Sequence, residues 1–509
     1  MSNLKIEVIK ALKNIVGPNH VLVDPEDIYV YSFEKFFGVK GITPCVIVKT
    51  SSIKEEVRVR ELCKIYGLTV FSRGEKIDDT HIKHMRGNGI IILDNSPPPK
   101  PIKSVREKVI KRAARNWISF LRTIIHDSLV YKCAGCNVCT GYCPISQTVY
   151  DNMETWSSKG RYLISRAVLN DELELSKKIL DILYSCATCG NCFRNCSLYL
   201  NNLFETFIKA KSKILSKGML PTTIKDALEK TIKYSNPWGL SPLKRSEWLK
   251  NLNCKGKVSI LENGGSVDVL LYVGCAASYD TRAQEIAKSL VRILTEGLSL
   301  NVGILGSREK CCGHHQRRMG EEGLFETIVN ENDKILSSID YDVLITLCPH
   351  CYSTLKNEYQ IFGVNVNPIT HYTEFLEKEL GKIHYVSSFS EKMRVAYFDP
   401  CYLSRHNNIS EPPRRLLKSL PNFEFVDINN DSNCCGGGGG RMWFQDPFKG
   451  TAPTQPILEN ALIAKSSILA VACPFCLINF EDSIKNMGYE DRLMIKDISE
   501  LIYASMAKI

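Results

Sequence analysis

Residues 267–275 read VDVLLYVGC and residues 394–401 read RVAYFDPC. Each is a short apolar run of the kind that forms a buried strand, and each delivers a cysteine at its C-terminal end. That end is where open α/β sheets place their sites. The downstream cysteines repeat as well: KCCGHH (310–315) is answered by NCCGGGG (433–439), and ITLCPHC (345–351) by AVACPFC (470–476). Cys275 therefore corresponds to Cys401, Cys311 and Cys312 to Cys434 and Cys435, and Cys348 and Cys351 to Cys473 and Cys476. The helix-spaced segment RAQEIAKSLVRILTEG (282–297) comes after the first strand. The repeat predicts two pseudo-symmetric α/β units over 265–385 and 392–509.

The five glycines 436–440 do not make a phosphate loop. A dinucleotide fingerprint needs glycines at i, i+2 and i+5, and a P-loop needs a following Lys and Ser/Thr, whereas Arg441-Met442 follows here. Adjacent thiolates reach one centre only if the backbone after them turns sharply and stays slim, which glycine permits. The first copy has His314 and His315 at this place and the second only backbone. The expectation is a glycine side with room for a substrate and a histidine side that offers protons.

Written out, the repeats are C-x35-CC-x35-C-x2-C and C-x32-CC-x37-C-x2-C. Five thiolates are one more than a zinc tetrahedron or a regular cubane takes. An iron–sulfur site of altered geometry is the favoured reading. Zinc, and a strained vicinal disulfide within each CC pair, are the alternatives.

Upstream lie CAGCNVCTGYCP (133–144) and CATCGNCFRNCS (186–197), each C-x2-C-x2-C-x3-C. Three closely spaced thiolates serve one cubane, and the fourth reaches the neighbouring one. The spacing assigns Cys133, Cys136, Cys139 and Cys196 to one [4Fe–4S] cluster. Cys186, Cys189, Cys192 and Cys143 go to the other, and zinc knuckles need only two cysteines per loop. Ser197 stands where the usual motif has proline. Two such clusters make an electron wire within a ferredoxin-type domain spanning 131–255.

Composition agrees. Of 21 cysteines, sixteen fall in tight clusters, Cys275 and Cys401 join them through the repeat, and Cys45, Cys63 and Cys254 stand alone. In a reducing cytosol that argues for metal or redox chemistry over a disulfide framework. A hydrophobic fraction of 44% and a charged fraction of 24% are those of an ordinary globular protein. No apolar run reaches the roughly 18 residues of a membrane span, and the N-terminus lacks a signal-peptide core. The expectation is a cytoplasmic chain.

The net charge of +10 concentrates in 100–122. There a helix-spaced segment after the Pro-rich break SPPPKP (96–101) carries a basic face. Residues 96–130 thus read as a linker and a basic amphipathic helix. That helix is either a solvated face or a peripheral contact with an acidic partner or the inner face of the membrane. Nothing resembles a nucleic-acid surface.

A paired ferredoxin motif followed by two CCG-type repeats resembles the fused catalytic subunit of heterodisulfide reductase. It is similar in order to the iron–sulfur subunits of glycolate oxidase and anaerobic glycerol-3-phosphate dehydrogenase. NPWG (236–239), Arg245 and Trp248 also match that family over about 120–509. The resemblance implies a mixed α/β fold: a helical two-cluster ferredoxin-type domain, then two pseudo-symmetric α/β CCG domains. It further implies one non-cubane [4Fe–4S] cluster on Cys275, Cys311, Cys312, Cys348 and Cys351. A second would take Cys401, Cys434, Cys435, Cys473 and Cys476, and a substrate disulfide would be split between the two.

Residues 1–95 look like a small α/β lobe. VLVDPEDIYVYS (21–32), PCVIVKTSSIKEEVRVRELCKIYG (44–67) and LTVFSRG (68–74) resemble the first lobe of the FAD-binding domain in glycolate and D-lactate dehydrogenases. EKIDDTHIKHMRGNG (75–89) lacks the family's pyrophosphate glycines, so no FAD is expected and the lobe reads as a docking surface.

The function implied is an iron–sulfur oxidoreductase that reduces a disulfide or oxidises thiols, working with a flavoprotein or another electron donor or acceptor protein. The alternative is an electron-transfer subunit of a flavin-dependent 2-hydroxyacid or glycerol-3-phosphate dehydrogenase, delivering electrons to quinone or a membrane subunit. His314, His315, Arg317, Arg318, Arg405 and His406 come just after cluster cysteines. They are candidates for proton supply or for binding an anionic substrate, and equally for purely structural roles.

Overall fold

Buried apolar strands alternating with helices give a mixed α/β protein. The computed structural model describes residues 6–32, 44–72, 90–94, 138–196, 203–250, 252, 258–262, 264–386, 392–428, 433–448 and 450–506. The basic segment 96–130, the glycine-poor stretch 75–89, Cys133, Cys136 and Cys254 lie outside them. The chain divides into two compact units, Met1–Leu183 with Asn191–Ile214, and Tyr184–Gly190 with Leu215–Ile509.

The first unit opens with a four-stranded sheet of order β1-β2-β4-β3, made of β1 (Val21–Leu22), β2 (Val46–Lys49), β3 (Thr69–Ser72) and β4 (Ile90–Asp94). The lobe's core is Val8, Leu12, Val46, Val48, Val59, Ile91 and Leu93, all buried. Helix Pro25–Ser32 carries the contact with the cysteine-bearing part of the same unit. Buried Asp27 accepts from Thr155 Oγ1 at 2.5 Å and pairs with Lys178, which also reaches Asp24. Tyr31 donates to Asp94 at 2.7 Å, and Lys49 pairs with Asp151 at 3.0 Å. Asp27→Ala leaves Lys178 without its buried partner and is expected to cost about 3 kcal/mol. Limited proteolysis would register it as earlier release of the N-terminal lobe.

In the second unit, β5 (Val258–Ile260), β6 (Gly265–Tyr272), β7 (Val302–Ile304), β8 (Ile339–Thr346) and β9 (Ile369–His371) form an all-parallel sheet of order β5-β7-β6-β8-β9. Four further strands, β10 (Met393–Tyr397), β11 (Phe423–Val426), β12 (Ile468–Val471) and β13 (Met494–Asp497), form a second parallel sheet, β11-β10-β12-β13. Apart from the extra edge strand β5, the two orders are the same. In each, the chain runs outward from the first central strand, then crosses back to the second. The crevice between the two central strands is therefore the switch point at which α/β sheets bind ligands. Register sets Leu271 beside Ile345 and Tyr397 beside Ala470, so Cys275 and Cys348 leave one crevice together and Cys401 and Cys473 the other.

Contacts between the repeats come in matched pairs, as a pseudo-two-fold axis requires. Helix Gly274–Tyr279 packs on Pro474–Met487, and its counterpart Cys401–Asn407 on Pro349–Ser353. Likewise Gln284–Arg292 packs on Ile498–Ser505, and Glu411–Ser419 on Tyr372–Lys378. One continuous core joins both sheets. Arg282 of the first repeat reaches Glu481 (2.8 Å) and Glu500 (3.0 Å) of the second, and Arg415 returns to Glu377 at 2.7 Å.

Tyr372 of the first repeat donates to Asp497 of the second at 2.8 Å, where Asp497 also caps its helix through Ser499 N. Burial pushes the Asp497 carboxyl up to about 7, against its hydrogen bonds from Ser499 and Tyr372. The folded state thus holds this proton more tightly than the unfolded chain. Its stability contribution is present at low pH and lost as pH rises from about 4 to about 7. Asp497→Asn keeps the cap and is expected to remove roughly 2–4 kcal/mol of that slope, measured by denaturant unfolding at pH 5 and pH 8.

Candidate metal centre

Cys275, Cys311, Cys312, Cys348 and Cys351 line one cavity. Their exposures run from 2% to 7%, so all five sulfurs are withdrawn from water. The second set, Cys401, Cys434, Cys435, Cys473 and Cys476, is buried to 5% or less, with Cys435 and Cys476 sulfurs 3.3 Å apart. No disulfide joins any of these cysteines, so neither CC pair is a vicinal disulfide.

Crowded thiols in a dry site compete for protons. The Cys311 and Cys351 thiols donate to Cys312 and pull it down to about 6, although burial opposes this. Cys434 and Cys476 do the same to Cys435. Neutral thiols bury readily, and a metal that takes the protons' place would hold the same sulfurs as thiolates. Among the described residues no three Cys, His, Asp or Glu side chains gather round one point as a single ion requires. Five thiol donors on one cavity exceed the four of a zinc tetrahedron, so the donor set fits a multi-atom cluster better than lone zinc.

Buried arginines neighbour these sulfurs. Arg245 Nη2 donates to Cys275 Sγ at 3.4 Å and to Glu309 Oε1 at 2.7 Å. Glu309 in turn accepts from the N–H groups of Val273 and Gly274, both at 2.9 Å, and so fixes the turn that presents Cys275. Burial works against the Arg245 charge, but Cys275 and Glu309 outweigh it and hold it ionised. In the second site Arg405 donates to the carbonyls of Cys189 (2.9 Å) and Asn433 (2.7 Å). In the first unit, Arg161 Nη1 donates to Cys143 Sγ at 3.3 Å and Nε to Ile182 O at 3.0 Å.

The glycine run explains itself here. A Cβ on Gly438 would meet Ala187 O at 2.4 Å, and one on Gly439 would meet Cys186 O at 2.3 Å. Gly439 also has φ +67°. The expected substrate room on this side is therefore filled by the backbone of Cys186 and Ala187 and the side chain of Thr188. Cys189 is close enough to exchange a hydrogen bond with Cys434. Between the repeats, Cys348 and Cys473 make the same kind of contact.

A layer of rings covers the first site. His314 stacks on His350 at 4.5 Å, and both meet the edge or face of Tyr402. His315 packs on Trp443 and Phe475, each at 4.8 Å. Burial lowers all three imidazoles below their ordinary range, so they are neutral. His314 Nε2, both His315 nitrogens and His350 Nδ1 are buried with no hydrogen-bond partner.

Arg317 and Arg318 do not reach the cavity as anion binders. Glu358 takes both, at 2.6 Å and 2.5 Å. His406 stacks on Tyr402 at 3.9 Å and bonds Thr188 O at 3.1 Å. Sequence reasoning missed His350, Phe475, Tyr402, Glu309 and Glu358. The first three flank or follow cluster cysteines and were open to notice; the two glutamates carry no motif.

The cysteine-rich domain CCG matches residues 269–356 and 395–481, and the 4Fe-4S dicluster domain matches residues 128–200. The chain is thus an iron–sulfur protein in which a dicluster domain precedes two CCG domains. Its relatives include the EtfAB:quinone oxidoreductase of Syntrophomonas wolfei, 30% identical over 64% of this chain and 47% of that protein. One subunit of the fumarate reductase (CoM/CoB) of Methanothermobacter marburgensis is 29% identical over 73% of this chain and 71% of its own. One subunit of the dihydromethanophenazine:CoB--CoM heterodisulfide reductase of Methanosarcina acetivorans is 26% identical over 72% and 92%. The chain spans about half the length of the Syntrophomonas protein. Among the described residues no helix is long and apolar enough to cross a membrane.

Proposed function

We propose that this chain is the iron–sulfur subunit of an oxidoreductase complex, carrying electrons from a partner protein to paired CCG sites that reduce a disulfide or oxidise thiols. Cys133, Cys136, Cys139 and Cys196 would hold one cubane, and Cys186, Cys189, Cys192 and Cys143 the other. Cys275, Cys311, Cys312, Cys348 and Cys351 would hold one CCG cluster, and Cys401, Cys434, Cys435, Cys473 and Cys476 its twin, both of non-cubane type. The observation that carries the reading is a relay of touching thiols, Cys189 against Cys434 and Cys473 against Cys348. It leads from the second ferredoxin motif through one five-cysteine site to the other.

Iron–sulfur clusters pass electrons singly, so two side by side supply the pair that a disulfide takes. In that reaction one S–S bond breaks, each sulfur gains an electron and a proton, and two thiols leave. The chain's own residues exclude water with Trp238 and Phe475 at the cavity and offer His315 nitrogens that nothing else occupies. The named heterodisulfide reductase relative supports the disulfide direction.

A second reading is favoured by the Syntrophomonas relative, a quinone oxidoreductase by name: the chain relays electrons from a flavoprotein to a quinone. Low-temperature EPR of the anaerobically purified protein separates them. A thiol-dependent signal distinct from cubane signals, with disulfide turnover, supports the first; oxidation of a flavoprotein partner with no thiol response supports the second. Zinc with little iron on metal analysis would remove both.

A further inference from the structure

We propose that Arg405 is the positioning residue that sets the potential of the second CCG site and of the cubane to which Cys189 is assigned: a buried cation whose counter-ion is the metal-bound thiolates of Cys189, Cys401 and Cys434. This role rests on the cluster assignment above and names a residue that tunes it. Arg405 is 6% exposed and stands one turn after Cys401 on helix Cys401–Asn407, so the two share a helix face. Its Nε donates to the carbonyl of Cys189 at 2.9 Å, and its Nη2 to that of Asn433, the residue before Cys434, at 2.7 Å. The Cys434 thiol exchanges hydrogen bonds with both Cys189 and Cys401. One guanidinium is thus held beside three sulfurs from three separate segments of the chain.

Among the described residues no carboxylate pairs with it. Arg245, by contrast, sits on Glu309 at 2.7 Å, and Arg317 and Arg318 on Glu358. Burial works against the Arg405 charge, and Cys189, Cys401 and Cys434 outweigh it, with Asp399 after them. Asp399 itself is taken by both Nη groups of Arg414, at 2.8 Å and 2.5 Å. An arginine does not shed its proton in a protein, and burying its charge without an anion is strongly unfavourable. Neutral thiols supply no anion, whereas thiolates held by metal do. A fixed positive charge favours the reduced form of a cluster, which carries one more negative charge, and so raises its potential. Arg405 touches the second ferredoxin motif and the second CCG site at once, so it raises both together.

The test uses the full chain with its clusters loaded, titrated potentiometrically and followed by EPR. Arg405→Gln is expected to move two centres to more negative potential. Each should show a roughly tenfold fall in the reduced-to-oxidised ratio at fixed ambient potential, about 59 mV for one electron. The remaining centres, the one beside Arg245 among them, should stay where they are. Arg405→Lys keeps the charge and should restore most of the native potential. Unchanged potentials at full iron content, or an equal fall in the lysine variant, would overturn the proposal and leave the cluster reading standing. If Arg405→Gln loses iron, Arg405→Lys decides. Iron and potentials kept would support the charge; iron lost or potentials lowered despite it would make Arg405 a backbone clamp and overturn the proposal. A native protein that binds zinc and little iron would overturn both.

Discussion

Gly439→Val is expected to release about four irons per chain and to stop electron delivery to the CCG sites, while the protein remains folded. Two independent constraints act at this residue. Its φ of +67° is one that a β-branched side chain scarcely adopts, and an added Cβ would stand 2.3 Å from the carbonyl oxygen of Cys186. The obstacle is backbone and cannot swing aside. Relief comes only by parting the glycine run from residues 186–189, and that movement carries Cys186 and Cys189 with it. Iron analysis, together with loss of one cubane EPR signal, measures the outcome. Gly363, with φ +77° and nothing within 4 Å of its added Cβ, supplies the comparison: Gly363→Ala strains the backbone without touching any cysteine and should keep its iron. Full iron content in Gly439→Val would mean that the run serves only the turn after Cys435.

The second large effect is expected at Glu309. Glu309→Ala removes the acceptor of two backbone N–H groups and of Arg245, all buried. Breaking a buried ion pair from one side costs roughly 3–5 kcal/mol, because the remaining charge stays desolvated. The loss falls on the turn that presents Cys275, so the first CCG site should empty before the second. Glu309→Gln keeps an acceptor oxygen for Gly274 N–H and Arg245, gives up the one for Val273 N–H, and leaves the Arg245 charge uncompensated beside Cys275. It should retain iron and raise the reduction potential of that site, read by potentiometric EPR titration. An unchanged potential would reduce Glu309 to a scaffold residue.

Much of this is legible in the chain itself. The strand-then-cysteine pattern at Cys275 and Cys401 announces two kindred α/β units, and the structure shows two parallel sheets whose shared strand order puts those cysteines at the switch point. Buried strands are continuous apolar runs, and a ligating cysteine must stand just past one of them, so local sequence suffices. The glycine run is recognisable as functional, but its purpose is not. Nothing in NCCGGGGG says that residues 186–188, some 250 positions earlier, will fill the space beside it. Arg317 and Arg318 are likewise open candidates for anion binding until Glu358, forty residues on, is found to occupy them.

The sequence by itself therefore determined that Cys275, Cys311, Cys312, Cys348 and Cys351 belong together, and on what fold, because spacing and apolar periodicity are local properties of a chain. Only the tertiary structure decided what surrounds them: the carboxylates that silence the arginines, the rings that dry the cavity, and the thiol contact of Cys348 with Cys473 between the repeats. Those are long-range pairings. Charge compensation and packing depend on which distant side chains meet, and no local pattern encodes that.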